Sequence, residues 1–468
     1  MRTGGLRRVC MTNTHQAHVH ANPGTSIIDL AALYAAGSGP TPRASERAPE
    51  QIEVTLEARE TQWEIQPGTS VSAWGYQGQV PGPLIVGHVG DTLVVRLINR
   101  LPEPTTIHWH GLRLAPAMDG TESVQAPVQP GETFEYRFTL TDAGTYWYHS
   151  HTNETVQLER GLYGALVVLS AEEPMFDVDR VLVLDDVKLN RRRQIAGTAL
   201  FDRHSGREGD VLVINGRAGN DLEIAAGHVE RWRIVNACSA RYVRLSLGGR
   251  PFRVIGADGG LRDSAPTVTE ALLVPGDRLE LAVGPFDDEG ATVAIESLPY
   301  RRTAMRRPRR TRWGTLRVGP RQPSRATFAG STGVPPIMPL VAGSEPLVPT
   351  RTIRLGARMT LHGHDWLVNG ETHHHDAPIK AGQLQIWNVV NDTGMDHPFH
   401  LHGFFFQVIA VDGARVTPHA WEDTVNVVAK GSITLAFVPD ARPGKWMYHC
   451  HILEHHAAGM MGHFDVVV

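Results

Sequence analysis

The chain is written in short stretches of alternating apolar and polar residues, broken by turn residues. GDTLVVRLIN runs from Gly90 to Asn99, GHVERWRIVN from Gly227 to Asn236, and GQLQIWNVVN from Gly382 to Asn391. Each opens on glycine, alternates, and closes on asparagine nine positions later. A period of two puts successive side chains on opposite faces and marks a strand with one buried face. A second alternating stretch follows each, behind a turn: PGETFEYRF (130–138), PGDRLELAV (275–283) and KGSITLAFV (430–438). NGR at 215–217 and NGE at 369–371 mark corresponding turns in the second and third copies. The copies lie 137 and 155 residues apart, so each repeated unit is a domain and not a solenoid repeat. Helical periodicity is weak almost everywhere. The pattern predicts an all-β chain of three Greek-key β-sandwich domains, over 51–170, 171–318 and 319–468.

Composition agrees with this and narrows the function classes. A chain of 468 residues predicts two or three domains, and 47 Gly and 31 Pro suit a turn-dense β protein. A net charge of −4 argues against nucleic acid or an anionic membrane as partner. One basic run, RRTAMRRPRRTR (301–312), reads as a solvated interdomain linker ahead of the alternative, a binding patch. No stretch approaches the roughly 18 apolar residues of a membrane-spanning helix. Residues 1–50 read as a flexible leader, with a short helix over 26–37. Arg7-Arg8 hints at a twin-arginine export signal, but the polar VCMTNTHQAHVHANPG behind it offers no apolar core. The compartment therefore stays open. Three cysteines make no disulfide framework; Cys10 and Cys238 could pair if Cys450 is engaged elsewhere.

The chemistry is concentrated in KWMYHCHILEHHAAGMMGHF (445–464). Cys450 sits between His449 and His451, His455 follows four residues later, and Met460 five after that. Thiolate, imidazole and a weak thioether together suit a blue-copper electron-transfer site, whereas zinc more often takes four strong ligands. On a strand, Cys450 faces one way and His449 and His451 the other, so the stretch can serve two metal sites. Partners for the two histidines come from IHWHG (His108, His110), YHSH (His149, His151) and HPFHLHG (His397, His400, His402). With His455, that makes ten candidate histidine ligands, all in the first and third units. The second unit carries none of these motifs and reads as a spacer.

These motifs resemble those of the multicopper oxidases. HWHG, HSH, HPFHLHG and HCHILEHHAAGM look like that family's four copper motifs, in order and at matching separation, over about residues 51–468. The resemblance implies three cupredoxin-like domains and four copper ions. It implies a type 1 copper on His397, Cys450, His455 and Met460, and a type 2 copper on His108 and His400. His110, His149, His151, His402, His449 and His451 would hold the type 3 pair. Electrons taken singly at the type 1 site would pass through Cys450 to the three-copper cluster, where dioxygen is reduced to water.

Further roles follow from the same resemblance. Asp119, in APAMDGTES, matches a proton donor to the cluster; as Asp-Gly it also reads as a turn. Many bacterial relatives carry an acid just after the type 1 histidine, where this chain has His456. Asp423, in WEDT, reads either as an acid orienting a ligand histidine or as a strand-edge charge. Met460 implies a potential at the lower end of the family, favouring easily oxidised donors. The leading expectation is a laccase-like oxidase of phenols or aromatic amines, monomeric. The alternative is a metal-ion oxidase for Cu(I), Fe(II) or Mn(II), although only 11 Met occur and none cluster beyond Met460-Met461. A copper-free structural homologue is a minor third reading, because every implied ligand position is filled.

Overall fold

The computed structural model describes residues 48–468, apart from 171, 344, 361 and 362. The leader, its short helix and Cys10 lie outside the described residues. Cys238 is buried, with Leu184 O 3.9 Å from its Sγ.

The alternation in the sequence becomes alternation in burial. Along the strand Gln51–Gln66, Ile52, Val54, Leu56 and Ala58 are buried while Gln51, Glu53 and Thr55 are exposed. Residues 51–169 form two four-stranded sheets, residues 178–319 a seven- and a five-stranded sheet, and residues 351–467 two six-stranded sheets. An apolar cluster fills the space between the sheets of each pair, as in a sandwich.

The repeated stretches occupy one topological position. Thr92–Asn99, Glu230–Asn236 and Gln385–Asn391 each run parallel to the first long strand of their unit. Each is antiparallel to the second repeated stretch, at Thr133–Thr139, Arg278–Val283 and Ser432–Phe437. The closing asparagine has one task in all three. Asn99 Nδ2 donates to Glu103 O and Val128 O at 2.9 and 2.8 Å, and its Oδ1 accepts from Leu101 N at 2.9 Å. Asn236 repeats this with Arg241 O, Leu273 O and Cys238 N, and Asn391 with Met395 O, Val427 O and Thr393 N. A buried amide thus replaces the backbone partners that a sharp loop lacks. In the outer units, the loop it pins leads directly into a histidine strand.

Those strands pair alike. His108–His110 lies beside Gly144–His149 with His108 opposite His149, and His397–Leu401 lies beside Gly444–Cys450 with His400 opposite His449. The middle unit locks the two outer ones together. Arg278, fully buried, donates from Nε to Thr145 O of the first unit at 3.1 Å and from Nη1 to Asp423 Oδ1 of the third at 2.8 Å. Beside it Glu280 accepts from Thr145 Oγ1 at 2.6 Å, Arg231 Nε at 3.0 Å and Arg233 Nη1 at 2.9 Å, all buried.

One expectation is corrected. The basic run at 301–312 is largely exposed, as expected, but it is no interdomain linker: it joins the strands Thr292–Leu298 and Thr311–Gly319 within the middle unit, with Arg302 and Thr303 buried and Thr303 bridging Met395. Counting charges along the chain missed the burial of Arg302 because aliphatic stems and ion pairs bury arginine without removing its charge.

Glu280 yields a stability prediction. Glu280→Gln keeps the shape but leaves Arg231 and Arg233 short of a buried counter-charge. Breaking a buried pair in this way costs about 3 kcal/mol or more. Thermal unfolding is expected to begin well below that of the parent, and an unchanged midpoint would show that the cluster does not join the units.

Candidate metal centre

The strand Gly444–Cys450 reaches the middle of the site. Its alternation sends Cys450 into the apolar core of the third unit, and His449 and His451 toward the first. Cys450 Sγ lies 3.4 Å from His397 Nδ1 and 3.6 Å from His455 Nδ1, and the two Nδ1 atoms are 3.1 Å apart. The other ring nitrogens fix the tautomers. His455 Nε2 donates to His204 O at 3.0 Å, and His397 Nε2 to Thr393 Oγ1 at 2.8 Å, whose own proton goes to Asn391 Oδ1. Both Nδ1 lone pairs therefore point at the sulfur. Burial pushes the Cys450 thiol up to about 12. Burial, then the Arg302 charge, brings His397 down to about 3. Two lone pairs and a thiol crowded together without water form a cation site, in which the metal displaces the thiol proton. Met460 is fully buried in the same core and closes the loop: Cys450 N donates to Met460 O and Met460 N to His455 O, each at 3.0 Å. Trp366 packs on the His455 ring at 3.9 Å.

The second cluster sits where the first and third units meet. It gathers all eight remaining candidate histidine ligands, each buried. Main-chain carbonyls hold four of them through Nδ1: Asp119 O takes His108 at 2.8 Å, Asp423 O His400 at 3.0 Å, Ser150 O His149 at 2.9 Å, and Cys450 O His449 at 2.9 Å. A carbonyl only accepts, so in each ring Nε2 keeps its lone pair. The Nε2 atoms of His108, His149, His151 and His400, Nδ1 of His110 and both nitrogens of His451 are buried without a hydrogen-bond partner. His402 Nε2 and His449 Nε2 face each other at 3.0 Å. Each such group costs about 1–3 kcal/mol when left unsatisfied. A set of convergent lone pairs on this scale fits metal ions, and imidazole suits copper.

Carboxylates surround the cage. Asp119 lies in the predicted turn, where a Cβ on Gly120 would fall 1.8 Å from Ile107 O, so only glycine fits. Its Oδ2 also accepts from His402 Nδ1 at 2.9 Å, so the turn and the site use one residue. Asp423 is no strand-edge charge: its Oδ1 accepts from His110 Nε2 at 3.2 Å, which leaves Nδ1 of that ring for a metal. Burial opposes its ionisation, but the Arg278 guanidinium and His400 outweigh this and hold the carboxyl well below the usual range. Glu154 was missed. It opens the short helix Glu154–Gln157, three residues after His151, with Oε1 3.0 Å from His151 Nδ1 and Oε2 2.6 Å from His456 Nδ1. Burial alone would raise its pKa; His151 and His456 instead hold it well below the usual range. The spacing HSHxxE was the available signal. Arg278 and Trp366 carried none, because their roles depend on contacts between distant segments.

Two family profiles match the chain, both described as multicopper oxidase, over residues 57–173 and 349–468. The chain is 31% identical to the multicopper oxidase MmcO of Mycobacterium tuberculosis, over 86% of this chain and 84% of that protein. It is 27% identical to Laccase-1 of Cryptococcus neoformans, over 83% and 77% of the two chains. Among solved structures, a Campylobacter jejuni multicopper oxidase described as a metallo-oxidase superposes with a TM-score of 0.78 at 31% identity. That superposition covers 89% of this chain and 91% of the other. The fold is accordingly cupredoxin-like.

Asp423 provides the test of the cage. Asp423→Asn keeps the volume but removes the charge that orients His110. Loss of such an orienting partner lowers metal affinity by about 10–100-fold. Copper retained after dialysis against graded chelator concentrations is expected to fall accordingly, with unchanged circular dichroism. Retention equal to the parent would remove Asp423 from the site.

Proposed function

Because the chain belongs to the multicopper oxidase family, we propose that it is a laccase-like oxidase. It takes single electrons from phenols or aromatic amines and delivers four of them to dioxygen, which leaves as water. His397, Cys450, His455 and Met460 would hold the type 1 copper, and His108 and His400 the type 2 copper. His110, His149, His151, His402, His449 and His451 would hold the type 3 pair. Bound copper supplies the one-electron storage and the dioxygen chemistry.

The observation that carries this reading is the position of one residue. Cys450 belongs to the thiol site by its side chain, while its flanking residues belong to the cage. Adjacent Cα atoms are about 3.8 Å apart, and Cys450 O accepts directly from His449 Nδ1 at 2.9 Å. Electrons therefore have a covalent route and a hydrogen-bonded one between the sites. Asp119, against His402, and the Glu154–His456 pair, against His151, place proton-holding groups beside the cage on two sides. For the donor, a cavity of about 420 Å³ lies beside the segment that carries His397, with Tyr242 and Tyr300 in its wall. That is within the usual size of a small-molecule pocket.

A second reading, a metal-ion oxidase, is favoured by one feature. The rings of His204 and His364 lie 4.2 Å apart, next to Trp366 and hence to His455, and Met359 stands opposite His364 on the neighbouring strand. Imidazole and thioether suit cuprous ion.

Two measurements test these readings. Cys450→Ser is expected to fold, to bind less copper and to lose the intense thiolate-to-copper absorption; a surviving blue band would mean that Cys450 is not the ligand. Dioxygen uptake by the copper-loaded protein is expected to be faster with a methoxyphenol than with cuprous ion at matched concentration. The reverse order would make the metal-ion reading the correct one.

A further inference from the structure

The 420 Å³ cavity has a chemical character beyond its size. Its floor is aromatic: Tyr242 and Tyr300 stack with ring centroids 5.4 Å apart and planes 8° apart. The floor also connects to the thiol site. Tyr300 OH donates to Asp396, the residue before His397, and Asp396 N donates to Arg302 O at 3.0 Å. Tyr242 OH donates to Asn426 Oδ1 at 2.9 Å, and Asn426 lies on the strand paired with His397–Leu401. A ring resting on Tyr300 is linked to His397 through Tyr300 and Asp396.

The walls are basic. Five arginines line the cavity, against two carboxylates, Glu208 and Asp210. Arg241, Arg302 and Arg306 lie 3.5 to 3.7 Å from Glu208, and Arg241 and Arg306 also reach Asp186 at 2.7 Å and Asp202 at 3.8 Å behind the wall. Arg307 and Arg309 line the same cavity and are exposed, with no acidic partner among the described residues. The basic run that stood out in the sequence thus forms one wall of a cavity. Guanidinium pairs with carboxylate and sulfonate through a planar fork of donors, and stacked aromatic walls accept another ring.

We propose that this cavity selects anionic aromatic reductants, phenols that carry a carboxylate or sulfonate, over neutral phenols. The inference rests on the oxidase reading above and names its substrate class. The ring lies on the tyrosines and the anionic group meets Arg307 and Arg309. Each substrate loses one electron to the type 1 site and its phenolic proton to solvent, leaving a phenoxyl radical. Four such electrons and four protons convert one dioxygen to two waters.

The test uses the copper-loaded full chain and a matched pair, 4-hydroxy-3-methoxybenzoate and its methyl ester. At low salt the acid is expected to show a KM about five- to tenfold below that of the ester, the scale of two exposed charge pairs. The advantage should shrink at high ionic strength. In the double variant R307E/R309E the acid-to-ester ratio of kcat/KM is expected to fall to one or below. Equal KM values for acid and ester in the parent, or an unchanged ratio in the variant, would overturn the proposal while leaving the oxidase reading intact. Binding of 4-methoxybenzoate, which has no phenol to oxidise, gives a readout independent of turnover. Calorimetry should detect it on the parent and find it several-fold weaker on the variant, and equal binding overturns the site. Absent oxygen uptake with every donor would instead overturn the oxidase reading, and calorimetry would still decide the cavity.

Discussion

Everything in this molecule answers to one constraint: eight imidazoles are buried at an interface with most of their lone pairs aimed at one another. Water cannot satisfy them there, and the protein does not. What it supplies, for all of them but His451, is the other nitrogen's partner. Four carbonyls and the side chains of Asp119, Asp423 and Glu154 fix which nitrogen carries the proton. The price of that order is a set of buried lone pairs that only bound cations would satisfy. Metal binding and the stability of the interface are therefore coupled.

Such a cage needs two rigid surfaces held in register. One sandwich cannot provide them, because a sheet presents alternate residues to its own core. Duplicated sandwiches can, when each turns its histidine strand to the other. The repeated asparagines place those strands by pinning the loop that leads into each. The third copy in the middle contributes no histidine and holds the distance. Arg278 does this with one guanidinium, touching the first unit at Thr145 and the third at Asp423, and the same Asp423 orients His110. Domain packing and ligand geometry thus share a residue, so a change at the interface is felt at the metal site.

The sequence disclosed whatever is local. Alternation located the strands, the Gly-to-Asn repeats located equivalent strands, and the spacing of His, Cys and Met located the donors, all of which the fold brings into two clusters. Arg278 stayed hidden because a buried arginine looks like any charged strand residue until its partners, more than a hundred positions away, are known. Residues 301–312 misled for the opposite reason. Their local pattern suggested a linker between domains, but the run stays within the middle unit and Arg302 packs against Tyr242 and Met395, contacts that no periodicity encodes.

His456 shows how local and distant information combine. The resemblance expects an acid at this position, and its absence leaves proton supply in question. The carboxylate is present, but it comes from the other unit: Glu154 reaches His456 at 2.6 Å and His151 at 3.0 Å. The pair keeps one carboxylate and one imidazole beside the cage, with the acid supplied by the first unit. Its charge state is set by both neighbours, since His151 and His456 together outweigh the burial of Glu154. A substitution read at a single position would count as a loss. Across the interface a carboxylate is still at hand, and only the packing of the two units on each other brings it there.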